Sequence, residues 1–176
     1  MEMYDLSVPL FKRRLSTLSA ILKKVNGQFK DRKFGNDEIL NAKLAPDMLN
    51  FTRQVQLSTD FMKNGVGRLA GIKLKRFEDD EKTFEELQTR LIKTISCLNE
   101  ILPEQINGSE NRIIRMKIEK KSFEFFGFDF LQNFVTPNVY FHLSIAYGIL
   151  RANNYDIGKA DYLGQHVLQK GKLHIE

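Results

Sequence analysis

The sequence predicts an all-α four-helix bundle with a small β-hairpin before its last helix. Four segments carry apolar residues at helical spacings of three and four, and one short segment before the last of them alternates apolar and polar residues instead. The length of 176 residues suits one domain that can bury a core. We place this domain at residues 1–164 and treat residues 165–176 as a C-terminal tail.

The first two helices are predicted from their apolar stripes and from the residues that end them. Residues 8–25 form the first stripe, and Asn26 and Gly27 follow it. The second helix is predicted to begin at Pro46, because a missing N–H costs nothing in a first turn, and to end at Gly71. Its stripe consists of Met48, Phe51, Val55, Met62, Val66 and Leu69.

An acidic connector, residues 78–81, precedes the third helix. Four consecutive acids cannot all face one ion, so we predict that this connector is solvated. Thr83 and Glu86 have the spacing of a capping box, in which each side chain satisfies a backbone donor of the other. The third helix therefore begins there, and Pro103 stops it.

The hairpin and the last helix follow. Residues 112–125 alternate apolar and polar, with a turn predicted at Lys120 and Lys121. Residues 130–150 contain no charge, but several polar side chains among them exclude a membrane span and favour a helix buried in the protein. Pro137 should kink this helix and free one carbonyl of the preceding turn.

Composition and charge exclude several classes of protein. Cys97 is the one cysteine, which leaves no intramolecular disulfide and no cysteine-rich zinc module. The N-terminus has no signal-peptide pattern, so we expect a cytoplasmic protein. Residues 1–33 hold eight basic and three acidic side chains. We interpret them as a solvated helix face, because no aromatic residues interleave with the charges and no nucleic-acid-binding motif accompanies them.

Eight short blocks in order along the chain point to a known family. They are MYD (3–5), SVP (7–9), NAKLAPDM (41–48), RQVQ (53–56), FED (77–79), TFEEL (83–87), PNVYFH (137–142) and GKADYLG (158–164). Together they resemble an uncharacterised domain family within the DinB/YfiT-like superfamily of metalloenzymes. The resemblance implies an up-down-down-up four-helix bundle, in agreement with the helices predicted above.

The resemblance also implies a metal site, from which this chain departs. Members of the superfamily commonly hold a divalent metal with one histidine on the second helix and a His-x-x-x-His pair on the last. Here Asn138 stands at the first position of the pair, before His142, and Gln56 is the polar side chain nearest the core stripe of the second helix. One imidazole and two amide oxygens suit zinc or nickel poorly, so we predict a degenerate site with His142 as the sole candidate ligand. His166 and His174 lie in the tail and cannot be assigned as ligands.

Two functions are consistent with these residues. The first is a small-molecule-binding protein with a polar pocket formed by His142, Asn138 and Gln56. The alternative is a transferase that depends on a metal or a thiol cofactor. His142 is either a remnant ligand, a general base, or a core histidine hydrogen-bonded to Asn138 or Gln56, and we favour the core histidine because buried polar groups need partners.

The last helix also predicts a homodimer, because it is apolar on two faces. Its second face would supply a two-fold interface through Phe141, Leu143 and Leu150, with Tyr140 and Tyr147 as aromatic anchors. In the competing account, the hairpin and residues 155–163 fold over that face and leave a monomer.

Overall fold

The computed structural model describes residues 2–28 and 36–164, so the predicted tail, with His166 and His174, lies outside the described residues. These two ranges are mostly α-helical and contain a two-stranded antiparallel hairpin. Its elements are α1 Val8–Gln28, α2 Asn36–Asn41, α3 Phe51–Ala70, α4 Phe84–Asn99, α5 Pro103–Ile106, β1 Ile113–Ile118, β2 Lys121–Phe126, α6 Gly127–Asp129, a π-helical segment Phe130–Val135, α7 Thr136–Ala152 and α8 Lys159–Leu163.

Four long helices surround the core. The helix α3 packs against both α7 and α4, and α1 packs against α4. The apolar stripes predicted for these helices are buried, with Phe11, Val55, Leu91 and Ile149 all fully inaccessible to solvent. Within the described residues, no helix is both long enough and apolar enough to span a bilayer.

The ends of α3 and α4 are set by capping groups. The helix α3 begins at Phe51 and not at Pro46, because the Asn50 side chain accepts a hydrogen bond from the backbone N–H of Arg53 at 3.0 Å. Gly71 ends α3 in the left-handed region, at φ +70°. The predicted capping box at the start of α4 is present, with Thr83 as its N-cap.

The hairpin pairs the apolar positions that the alternation predicted. Ile114 lies opposite Phe125, and Met116 lies opposite Phe123. The turn falls at residues 119–120, one residue before the predicted position. One face of the hairpin packs against the helices, since Ile114 is buried and the centre of the Phe125 ring lies 5.6 Å from that of the Phe134 ring.

The last long helix changes its geometry just before Pro137. The segment Phe130–Val135 is π-helical, and α7 begins directly after it. The side-chain amide of Asn138 donates a hydrogen bond to the carbonyl of Phe134 at 2.7 Å. A polar side chain thus satisfies a backbone acceptor at the join between the two helical geometries.

The second apolar face of α7 is covered largely within the chain. Leu143 and Leu150 are buried, and the ring of Tyr147 packs edge-on against that of Tyr162 in α8. The interface predicted from these leucines is therefore wrong, because the chain itself occupies their surface. Phe141 remains 53% exposed.

Candidate functional site

A buried arginine organises the polar part of the interior. Arg90 lies on the core side of α4 and is only 2% exposed. Its guanidinium is in contact with Oγ1 of Thr59 at 2.7 Å, Oδ1 of Asp60 at 2.9 Å, the carbonyl of Glu78 at 3.0 Å, Oδ1 of Asp79 at 3.1 Å and Oε1 of Glu81 at 2.9 Å. Such a set of acceptors is what a buried cation requires to offset its lost hydration.

The connector before α4 is therefore not simply solvated, contrary to the prediction. Asp79 and Glu81 turn toward Arg90, and Asp79 also pairs with Arg53 at 2.9 Å. These ion pairs hold the connector against α3 and α4. Sequence spacing could not reveal this, because four adjacent acids look alike until the fold brings a cation to two of them.

Arg90, Arg53, Asp60, Asp79 and Glu81 form an ionic cluster, to which Gln56 also belongs. Its amide nitrogen donates to Oε2 of Glu81 at 2.7 Å, and its amide oxygen accepts from Nη1 of Arg53 at 2.7 Å. The side chain is 1% exposed. Gln56 thus orients charged neighbours on the side of α3 that faces the connector.

A second buried cation, Lys63, lies two turns beyond Gln56 along α3. Its Nζ donates to the carbonyl of Lys75 at 2.7 Å and lies 3.7 Å from the centre of the Phe77 ring. Burial lowers the pKa of Lys63, and burial likewise raises the pKa of Asp60. Burial works against ionised Asp79 too, but hydrogen bonds and charges from Arg53 and Arg90 outweigh it and lower the pKa of Asp79.

His142 is a core histidine whose partner differs from those predicted. Its Nδ1 lies 2.7 Å from Oε1 of Gln54, where the sequence predicted Asn138 or Gln56. Gln54 is itself 1% exposed, and the imidazole stacks on the ring of Phe61 at 5.5 Å between centres. Burial first, and then the positive charge of Arg53, lower the pKa of His142, so the ring is neutral at pH 7.

The residues predicted as one pocket lie in three different environments. Asn138 satisfies the carbonyl of Phe134, Gln56 joins the ionic cluster, and His142 pairs with Gln54. The donor set does not fit the three-histidine metal site of the superfamily, because His142 is the one imidazole in the described part of the chain. Residues 2–28 and 36–164 contain no group of three or more His, Cys, Asp or Glu side chains that could hold a metal ion.

A two-part cleft runs beside α3. The larger part has a volume of about 890 Å³ and lies between α3, the connector and β1. The smaller part, about 270 Å³, lies between α3, β1 and the π-helical segment, with Phe61, Phe130, Phe134 and Met116 among its walls. Asp60, Asn64 and Arg68 line both parts, so the two volumes adjoin.

Neither the buried cations Lys63 and Arg90 nor the basic lining of the cleft was predicted. Lys63 and Arg90 lie among the apolar positions of their helices. A cation that interrupts an apolar stripe was the available sequence signal for a buried charge. The basic lining of the cleft comes from α3, from residues 72–76 and from the start of the hairpin. Segments so far apart in sequence converge only after folding.

The structure and the sequence are both similar to those of a DinB family member of known structure. A crystal structure of a DinB family member protein from Shewanella denitrificans superposes with a TM-score of 0.82. The two sequences are 35% identical over 92% of this chain and 91% of that chain. No curated protein matches. Residues 3–163 match a domain of unknown function, DUF1993, and the chain belongs to that family.

Proposed function

We propose that this protein binds a small molecule in the two-part cleft beside α3 and that it does so without a bound metal ion. The cleft itself carries this proposal. The cleft is large enough to admit a small ligand, and it pairs a smaller, largely apolar part with a larger part lined by charged side chains. The ionic cluster around Arg90 supports one wall, because it holds the connector against α3.

In this proposal the residues of the degenerate metal site have supporting roles. His142 stacks on Phe61, which lines the smaller part of the cleft, and Gln54 fixes the plane of the imidazole. Asn138 holds the end of the π-helical segment, which forms another wall. The ligand-binding pocket proposed here thus includes His142, Asn138 and Gln56 as positioning residues behind its surface.

A neutral fluorescent probe tests the binding function. N-phenyl-1-naphthylamine fluoresces strongly in apolar sites, and we expect saturable binding of one molecule per chain. Phe134→Ala removes a ring from the smaller compartment and should weaken binding about tenfold, since a buried aromatic contributes at least 1.4 kcal/mol. Phe128→Ala, which removes a ring that is 46% exposed and lies outside the cleft lining, is the matched control and should bind as the wild type does. Absence of saturable fluorescence would overturn the proposal.

The alternative is a transferase that uses a metal or a thiol cofactor in the same region. Elemental analysis of protein purified without chelator, repeated after loading with zinc or nickel, separates the two functions. The ligand-binding proposal predicts far less than one metal ion per chain. Near-stoichiometric metal that is lost in His142→Ala would favour the transferase.

We further propose that the four long helices follow the up-down-down-up order of the DinB superfamily and that the protein forms a homodimer. Phe141 is the member of the predicted interface that is most open to a partner, being 53% exposed, whereas Leu143 and Leu150 are buried in the chain. The proposed dimer interface therefore lies on the N-terminal half of α7, around Phe141.

A further inference from the structure

The larger part of the cleft has an excess of positive charge. Six cationic side chains line it, namely Arg53, Arg68, Lys73, Arg76, Arg112 and Arg115. Two of the six have carboxylate partners, Arg53 with Asp79 at 2.9 Å and Arg115 with Glu124 at 2.8 Å. Within residues 2–28 and 36–164, the other four form no ion pair with a carboxylate.

The two acids that line this part do not neutralise the four cations. Asp60 pairs with the buried Arg90 at 2.9 Å, and Asp79 pairs with Arg90 and Arg53. The charges of Asp60 and Asp79 are therefore balanced by the cations of the ionic cluster. A concave surface lined by uncompensated cations concentrates field and attracts anions.

Arg68 and Arg112 are the best placed of the four cations. Arg68 lines both parts of the cleft and uses one N–H to donate to the carbonyl of Arg115 at 3.2 Å. Arg112 donates to the carbonyl of Leu69. A guanidinium has five N–H donors, so each arginine is oriented by one backbone bond and retains donors for a ligand.

The compartment next to Arg68 is apolar. Six of the ten residues that line it are apolar, namely Leu57, Phe61, Met116, Phe130, Phe134 and Val135. A molecule that placed an anionic group at Arg68 would have its remaining atoms beside these rings, where apolar burial is favourable.

We infer that the cleft binds an anion attached to a hydrocarbon tail. Arg68 and Arg112 hold the anionic group, and the hydrocarbon tail occupies the smaller part of the cleft, which Phe134 lines. This inference rests on the proposed binding function and adds the class of ligand. Carboxylate and phosphate share the recognition chemistry, because both accept paired N–H bonds from a guanidinium.

Calorimetric titrations with octanoate, octyl phosphate and the uncharged 1-octanol test the inference. At low salt, at least one anion should bind about tenfold or more tightly than the alcohol, and added salt should reduce the difference. The relative affinities of the two anions identify the preferred headgroup. Arg68→Gln and Arg112→Gln should each remove most of the preference, whereas Lys93→Gln, an equal loss of charge on the exposed side of α4, should retain it.

The contrary outcomes are distinct. Equal binding of the alcohol and both anions overturns the anion inference and leaves the proposed binding function standing. A preference for anions that survives both arginine substitutions also overturns the inference, since the anion then binds elsewhere. Failure of all three probes, together with failure of the neutral fluorophore, overturns both proposals.

Discussion

The guanidinium of Arg90 joins three parts of the chain that are separate in sequence. It reaches Asp60 on α3, and Asp79 and Glu81 in the connector, from its own place on α4. Removing one partner from such a cluster leaves the others buried without compensation, which costs more than the pairing itself contributes.

Substitution of Arg90 by Gln should therefore destabilise the protein strongly. We expect the free energy of unfolding to fall by about 3 kcal/mol in urea titrations. Arg115→Gln, which breaks an exposed pair with Glu124, is the control and should cost less than about 1 kcal/mol. Equal losses in the two variants would contradict the role given to the cluster.

Protonation of His142 should also weaken the fold. Its pKa is lowered from 6.5 in the folded protein, so below pH 6.5 the unfolded chain binds a proton that the folded chain does not. The stability due to neutral His142 is complete above pH 6.5 and is lost as the pH falls below it.

Urea unfolding at pH 7.5 and pH 5.5 measures this effect. The wild type should lose more stability between the two pH values than His142→Gln, which cannot titrate there. The raised pKa of Asp60 acts in the opposite sense and is common to both proteins. An identical pH dependence in the two proteins would exclude a neutral, buried His142.

At the scale of elements, the positions of the helices could be predicted from the sequence and some of their ends could not. The stripe from Met48 to Leu69 located α3, but Pro46 and Met48 both precede the helix, which begins at Phe51. Pro46 is compatible with a first turn, whereas Asn50 actually caps the helix by accepting a bond from Arg53. The cap lies four residues after Pro46, and its hydrogen bond sets the start of the helix.

The site was less predictable than the helices. Burial of His142 followed from its place on an apolar helix, yet Gln54 rather than Gln56 is its partner. The two glutamines lie on different sides of α3, and their partners come from α7 and from the connector. Side-chain partners from distant segments depend on how helices rotate about their axes, which hydrophobic spacing defines only coarsely.

The end of α3 offers a direct test of one helix boundary. Gly71 has φ +70°, and a Cβ there would lie 3.2 Å from Nη1 of Arg112. Gly71→Ala should lower the unfolding free energy by about 1 kcal/mol because of this left-handed conformation. Gly27→Ala, in the last turn of α1 with nothing within 4 Å of its added methyl group, should be neutral or stabilising. A neutral Gly71→Ala would contradict the capping assignment.

At the scale of the whole molecule, association depends on the exposed part of α7. The dimer proposal predicts a light-scattering mass of twice the 20.5 kDa chain at high concentration. Phe141→Ser should shift the protein toward the single-chain mass, while Ile92→Ser, on an exposed site of α4, should not. A constant mass near 20.5 kDa across a dilution series would exclude the dimer.

The whole fold also places the proposed binding surface. Four long helices form a core, and the connector, the hairpin and the π-helical segment surround the exposed side of α3. Ligand binding beside α3 is the central claim, and chemical-shift mapping of ¹⁵N-labelled protein with N-phenyl-1-naphthylamine tests it most directly. The largest saturable shifts are expected at Asn64, Arg68 and Met116, which line the cleft. Saturable shifts confined to α1, or none up to the solubility limit of the probe, would contradict a binding site in the cleft.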